Sequence, residues 1–169
     1  KKQLNLQQFL QNEYCGNVPG CAPPNPMGTW LEEPSPASGR VGAAAVAMGS
    51  SLHVIGGYDS APSGAVDVFH DDDSGIEWSA SPATPSMPTP RHNLSAAGQG
   101  AFLYAIGGDG GHGPLDTVEQ YNTQTRTWST RARMPTARSS LAAVALADGS
   151  IVALGGRTNG TASAAVESY

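Results

Sequence analysis

From residue 29 onward the apolar positions come in short runs, each closed by Gly, Pro, Asn or Asp. In the middle of the chain, Asn93 to Gln99 is small and apolar, and Ala101 to Ile106 is apolar and stops at Gly107-Gly108. Val118 to Tyr121 alternates, as does Arg126 to Thr130 around Trp128. Runs of this length between turn-forming residues predict strands. Helical spacing is confined to the start of the chain, where Leu6, Phe9 and Leu10 fall at i, i+3 and i+4 in a Gln-rich stretch. That spacing suits a short amphipathic helix within residues 3–14. A disordered tail is the alternative, because isolated helices this short are marginal.

The strand pattern repeats. The double glycines Gly56-Gly57, Gly107-Gly108 and Gly155-Gly156 are spaced 51 and 48 residues apart. Trp30, Trp78 and Trp128 are spaced 48 and 50, and Arg40, Arg91 and Arg138 are spaced 51 and 47. Val66-Asp67-Val68-Phe69 recurs as Val118-Glu119-Gln120-Tyr121 and Val166-Glu167-Ser168-Tyr169. Four markers thus keep one order and one period near 50, with four strands per period, which is the arithmetic of a propeller blade. The innermost strand is rich in alanine (Ala43 to Ala45, Ala96 and Ala97, Ala142 and Ala143), as crowding near a propeller axis requires.

These residues resemble the kelch repeat. The Gly-Gly doublet ends a strand, a Val-Glu-x-Tyr element follows, and a Trp comes after six intervening residues, as from Tyr121 to Trp128. Met87-Pro88 and Met134-Pro135 precede Arg91 and Arg138 in the family's manner. The resemblance covers residues 29 to 169 and implies an all-β fold of about three four-stranded antiparallel blades, part of a larger propeller. The units run from about 38 to 82, 89 to 132 and 136 to 169, with an orphan Trp strand at 29–31 and an extension at 1–28. The first unit departs from the pattern, with Asp67 for Glu, Phe69 for Tyr, and eight residues between Phe69 and Trp78. Its outer hairpin should be longer and more acidic.

Known propellers have about four to eight blades, so three do not close a ring. The segment is then part of a longer polypeptide, or half of a two-copy ring exchanging the Trp30 strand, or an open arc on another protein. In each case its ends need covering, by the remaining blades of the same or another chain.

Composition narrows the function. Charged residues are 14% and the net charge is −5, a poor match for a phosphate backbone, so nucleic acid is not an expected partner. The basic cluster Arg126, Arg131 and Arg133 reads as solvated strand-edge charge. No apolar run approaches the roughly 20 residues of a membrane span.

The four histidines (His53, His70, His92, His112) have no metal-ligand spacing. His53 reads as a core or channel residue. His70 with Asp71 to Asp73 lacks the pattern of a calcium loop and reads as an acidic turn. No nucleophile elbow or phosphate loop is present, so neither catalysis nor a cofactor is expected. Among kelch-like propellers, the copper radical oxidases need a Cys cross-linked to a Tyr, and here the only cysteines are Cys15 and Cys21. These two flank a Pro/Gly-rich loop and read as a disulfide, with two free thiols as the alternative. Asn93-Leu94-Ser95 and Asn159-Gly160-Thr161 are glycosylation acceptor patterns. Asn93 should be inaccessible at the start of an inner strand, whereas Asn159 lies in a Gly-rich loop. Disulfide and acceptor site favour a secreted or extracellular setting over the cytosol.

In an antiparallel blade the loops between blades and those linking strands two and three emerge on one face. That face would carry Arg40, Arg91, His92 and Arg138. Around them stand Tyr58 and Asp59, Asp109 and His112, and Arg157, in the loops 58–64, 109–114 and 157–163. The arginines either pair with Asp67, Glu119 and Glu167 between blades, or form a ring of cations that reads an acidic ligand. The expected function is protein binding or scaffolding within a larger assembly. The alternative is part of a secreted carbohydrate-active or oxidoreductase propeller whose catalytic residues lie outside this segment.

Overall fold

The computed structural model describes residues 35–36, 38–72, 75–79 and 84–169. The expected helix within 3–14, the Cys15/Cys21 loop and the Trp30 strand lie outside these residues. The first sheet contains β1 (Ala44–Met48), β2 (Ser51–Ile55), β5 (Val66–Asp72) and β6 (Gly75–Ser79), in the order β1-β2-β5-β6. A two-stranded hairpin, β3 (Tyr58–Asp59) with β4 (Ala61–Pro62), stands between β2 and β5. The second sheet contains β7 (Ser95–Gln99), β8 (Phe102–Ile106), β9 (Val118–Asn122) and β10 (Thr127–Thr130), paired in sequence order. The third contains β11 (Ala142–Ala145), β12 (Ile151–Leu154) and β15 (Val166–Ser168), with the hairpin β13 (Arg157–Thr158) and β14 (Thr161–Ala162). Every pairing is antiparallel. The described residues contain only strands, turns and bends, as the run lengths predict.

The inner strands β1, β7 and β11 lie side by side, and there the sheets crowd. A Cβ on Gly98 would meet the Met48 sulfur at 2.5 Å, which is the reason for small residues at this radius. β7 begins at Ser95, not at Asn93, because Asn93 takes φ 50°, outside the strand region. β10 likewise begins after Arg126, which closes the preceding turn at φ 58°. The two extra residues of the first outer hairpin lengthen its ladder. Beyond Phe69↔Trp78 it continues through His70↔Glu77, Asp71↔Ile76 and Asp72↔Gly75, whereas beyond Tyr121↔Trp128 the second hairpin adds only Asn122↔Thr127.

The core consists of two layers, one in each space between sheets. Ile55, Val66 and Val68 meet Leu94, Leu103, Ala105 and Tyr121 in the first, with Met87 added from the connecting segment. Ile106 and Val118 meet Leu141, Ile151 and Ala153 in the second, with Met134 added in the same way.

The far side of the third sheet has no described layer on it. Ile55 and Ile106, which precede the first two glycine doublets, are 0% and 3% exposed, but Leu154 is 38% exposed. Val66 and Val118 are 0% and 4% exposed, but Val166 is 66% exposed. Val144 and Leu146 are open on the same side.

The recurrent arginines are structural. The Arg40 guanidinium bonds Asp67 at 2.6 Å, Arg91 bonds Glu119 at 2.9 Å, and Arg138 bonds Glu167 at 2.7 Å. Each also donates to carbonyls of its own unit, Arg40 to Gly56, Arg91 to Ala105 and Arg138 to Gly155. The expectation of ion pairs between blades is therefore corrected, since each pair closes within one unit. The link between units runs through the backbone instead. The Arg91 and Arg138 carbonyls accept from Gly57 and Gly108 of the preceding unit, both at 2.9 Å.

Candidate binding face

The same hydrogen bonds anchor a loop at each glycine doublet. Val41 and Tyr58 exchange backbone bonds of 3.1 and 2.8 Å, His92 and Asp109 bonds of 3.0 and 2.8 Å, and Ser139 and Arg157 bonds of 3.0 and 2.7 Å. The carbonyls of Gly57, Gly108 and Gly156 then accept from the amides of Ser63, Leu115 and Ser163, closing each loop at its base. Three loops of differing sequence thus rise from one repeated anchor.

Each loop is shaped by its own residues. The third turns at Asn159-Gly160, with φ 49° and 82°, the pair of positive values that a type I′ hairpin requires. In the second, Asp109 Oδ1 accepts from the amides of Gly111 (2.7 Å) and Gly113 (3.1 Å), a local side-chain clamp. The Tyr58 ring of the first loop stands edge-on to His92, with centroids 5.2 Å apart. Between the first and second loops runs a groove of about 470 Å³ lined by Pro62, Thr89, Pro90, His112, Pro114 and Leu115.

Tyr58, Asp59, His112 and Arg157 are exposed on these loops, with His92 and Asp109 half-buried beside them. Arg40, Arg91 and Arg138 do not join them. Arg91 and Arg138 are fully buried and the Arg40 side chain is 6% exposed, so no ring of free cations reads an acidic ligand here. Burial pushes the Arg91 pKa below its ordinary value, and Glu119 opposes that shift. Arg126, Arg131 and Arg133 are exposed elsewhere, with Arg131 bonded to Gln120 and Arg133 paired with Asp116.

Asn93 also needs correction. It is exposed, because its left-handed backbone lifts it off β7. Its amide donates to the Gly42 carbonyl and its own carbonyl accepts from Ser140, both at 2.7 Å. Gly42, Asn93 and Ser140 hold one repeat position, all with positive φ, so the three units are tied by a line of backbone bonds. Sequence reasoning missed this line and the prolines of the groove. Pro62, Pro90 and Pro114 stand beside the turns, and their fixed φ was the available signal.

Among the described residues no group of three His, Cys, Asp or Glu could hold a metal ion. Among the described residues no helix is long and apolar enough to cross a membrane.

Repeated antiparallel sheets, two of four strands and one of three, stacked about their inner strands and joined through glycine doublets, define a β-propeller repeat protein. The chain belongs to the KLHDC2/KLHL20/DRC7 Kelch-repeats domain family, which matches residues 29–167. It is 34% identical over 89 residues to the human Kelch repeat and BTB domain-containing protein 13, an alignment covering 52% of this chain and 19% of that protein. The solved structure of YjhT superposes with a TM-score of 0.64 at 18% identity, covering 74% of this chain and 36% of that one. At that identity the likeness shows the fold alone. The chain therefore spans about a fifth of the human relative and about a third of YjhT.

Proposed function

We propose that residues 29–169 are the propeller segment, with 1–28 as its extension, and that the segment binds a protein partner through the loops 58–64, 109–114 and 157–163. The observation that carries this reading is the anchor repeated at all three doublets, which presents loops of unlike sequence on one frame. Variable loops on a rigid scaffold are where binding residues concentrate. The Pro-lined groove beside His112 gives such a partner an apolar slot. Asn159 is exposed at its turn and open to a glycan, in keeping with an extracellular setting.

The same reading makes the segment part of a larger assembly, with a further kelch unit covering Leu154 and Val166. A Cβ on Gly56 would meet the Arg91 carbonyl and the Leu94 and Met87 side chains. On Gly107 it would meet Arg138, Leu141 and Met134, whereas on Gly155 only the Ser163 carbonyl comes near. The occupant of Gly155 is then a unit with Met four residues before its Arg and Leu three after. The first unit of a second copy would offer Pro36 and Ala43 at those positions, too short to fill the gap.

Capture of partners from the native source, comparing the wild type with a Tyr58→Ala/His112→Ala/Arg157→Ala variant, tests the loop face. A partner lost from that variant but kept by Gln124→Ala/Thr125→Ala supports it. Equal retention by both variants refutes it.

A further inference from the structure

A second concavity lies away from these loops, at the opposite ends of the first and second sheets. There the β1–β2 and β9–β10 turns border a cleft of about 670 Å³. Met48, Val68 and Tyr121 form its apolar walls, and His53, His70 and Arg126 line it with nitrogen. The volume lies within the range of small-molecule sites.

The cleft exists because one repeat position changes. His53 pairs across the sheet with Val68, and the corresponding pair in the second unit is Tyr104 with Gln120. Those two side chains bond at 2.5 Å, and the Tyr169 ring lies 5.9 Å from that of Tyr104. The equivalent space is thus filled between the second and third sheets. Between the first and second, the smaller imidazole and the isopropyl group of Val68 leave it open.

Two polar groups here are unspent. His53 is 6% exposed, and its Nδ1 has no hydrogen-bond partner among the described residues. A buried polar atom without a partner is costly and calls for an explanation. Arg126 is exposed, and its guanidinium has no ion pair among the described residues. The described lining includes no carboxylate.

We propose that this cleft binds a small organic acid, its carboxylate held by Arg126, His70 and His53 and its apolar body against Met48, Val68 and Tyr121. A guanidinium and two imidazoles supply N–H donors, and charge-assisted bonds from them to a carboxylate are the strong ones. Tyr121, 3% exposed, lies at the floor of the cleft, and its ring is tilted against that of Trp128 at 5.2 Å between centroids. This site is independent of the loop face.

The test is a titration of the full chain with 4-phenylbutyrate and with its uncharged amide, followed by calorimetry and by backbone amide NMR. The acid should bind with shifts at Gly100, Thr123 and Arg126, and the amide should bind about tenfold more weakly. Arg126→Gln and His70→Ala change exposed residues, and each should weaken the acid about tenfold with no effect on the amide. Arg133→Gln, which removes an exposed cation paired elsewhere with Asp116, should change nothing. Equal affinity for acid and amide overturns the proposal, as does full affinity in Arg126→Gln. Shifts confined to the loops around Tyr58 and His112, or no binding at millimolar acid, overturn it too.

Discussion

The carbonyl of Arg91 accepts a hydrogen bond from the amide of Gly57 at 2.9 Å, while the guanidinium of the same arginine is buried against Glu119 of its own unit. One residue therefore ties two units, by its main chain to the one before and by its side chain within its own. The bond needs Gly56, since a Cβ there would stand 2.5 Å from the Arg91 oxygen. Arg138 repeats this relation with Gly107 and Gly108.

Gly107→Ala should therefore be more harmful than Gly155→Ala. Both positions lie near φ 60°, which costs about 1–2 kcal/mol for a residue with a Cβ. At Gly107 the new Cβ would also clash with backbone, at 2.5 Å from the Arg138 oxygen, whereas at Gly155 it would sit in ordinary contact, 3.7 Å from the Ser163 oxygen. The clash adds about 1–3 kcal/mol of overpacking. Denaturant unfolding of the two variants measures the difference. In an assembly with a further unit on the third sheet, the two costs should become equal.

Arg91→Met should destabilise the fold by about 3–5 kcal/mol, because it leaves the Glu119 carboxylate buried and unpaired. Thr89 still donates to Glu119 at 2.7 Å, but a neutral hydroxyl does not balance the charge. The double variant Arg91→Met/Glu119→Leu should recover much of that loss, since an apolar pair has no desolvated charge. Urea midpoints for the three proteins decide the matter.

Burial and the nearby His70 both lower the His53 pKa from its ordinary 6.5. The unfolded chain then takes up a proton near 6.5 that the folded chain refuses. Stability from this residue is present above pH 6.5 and declines as pH falls toward the lowered value. His53→Tyr, which places in the first unit the residue already present at 104, should remove this part of the pH dependence. Unfolding free energies of both proteins at pH 7.5 and pH 5.5 provide the comparison.

The open side of the third sheet should make the isolated segment self-associate. Val144, Leu146, Leu154 and Val166 form an exposed apolar surface, and such surfaces drive association. Light scattering should show larger species for the wild type than for Val144→Glu/Val166→Lys. In the assembled protein the same changes should break the contact with the next unit.

The sequence by itself determined the repeat and hence the sheets. A period near 50 with a glycine doublet, an acidic strand and a tryptophan is local information, because each strand and turn is set by residues near it in the chain. Candidate partners for the arginines were legible for the same reason, as Arg, Asp and Glu recur in step. Tertiary structure decided which groups were left over. Arg91 and Arg138 are spent in ion pairs, and Asn93 is lifted into solvent by a left-handed backbone that no neighbouring residue announces. The cleft at His53 depends on a comparison across sheets, since its width is set by what Tyr104 and Gln120 fill in the next space. Whether a side chain is buried, bonded or free is a property of the packing between units, and only the stacked sheets fix it.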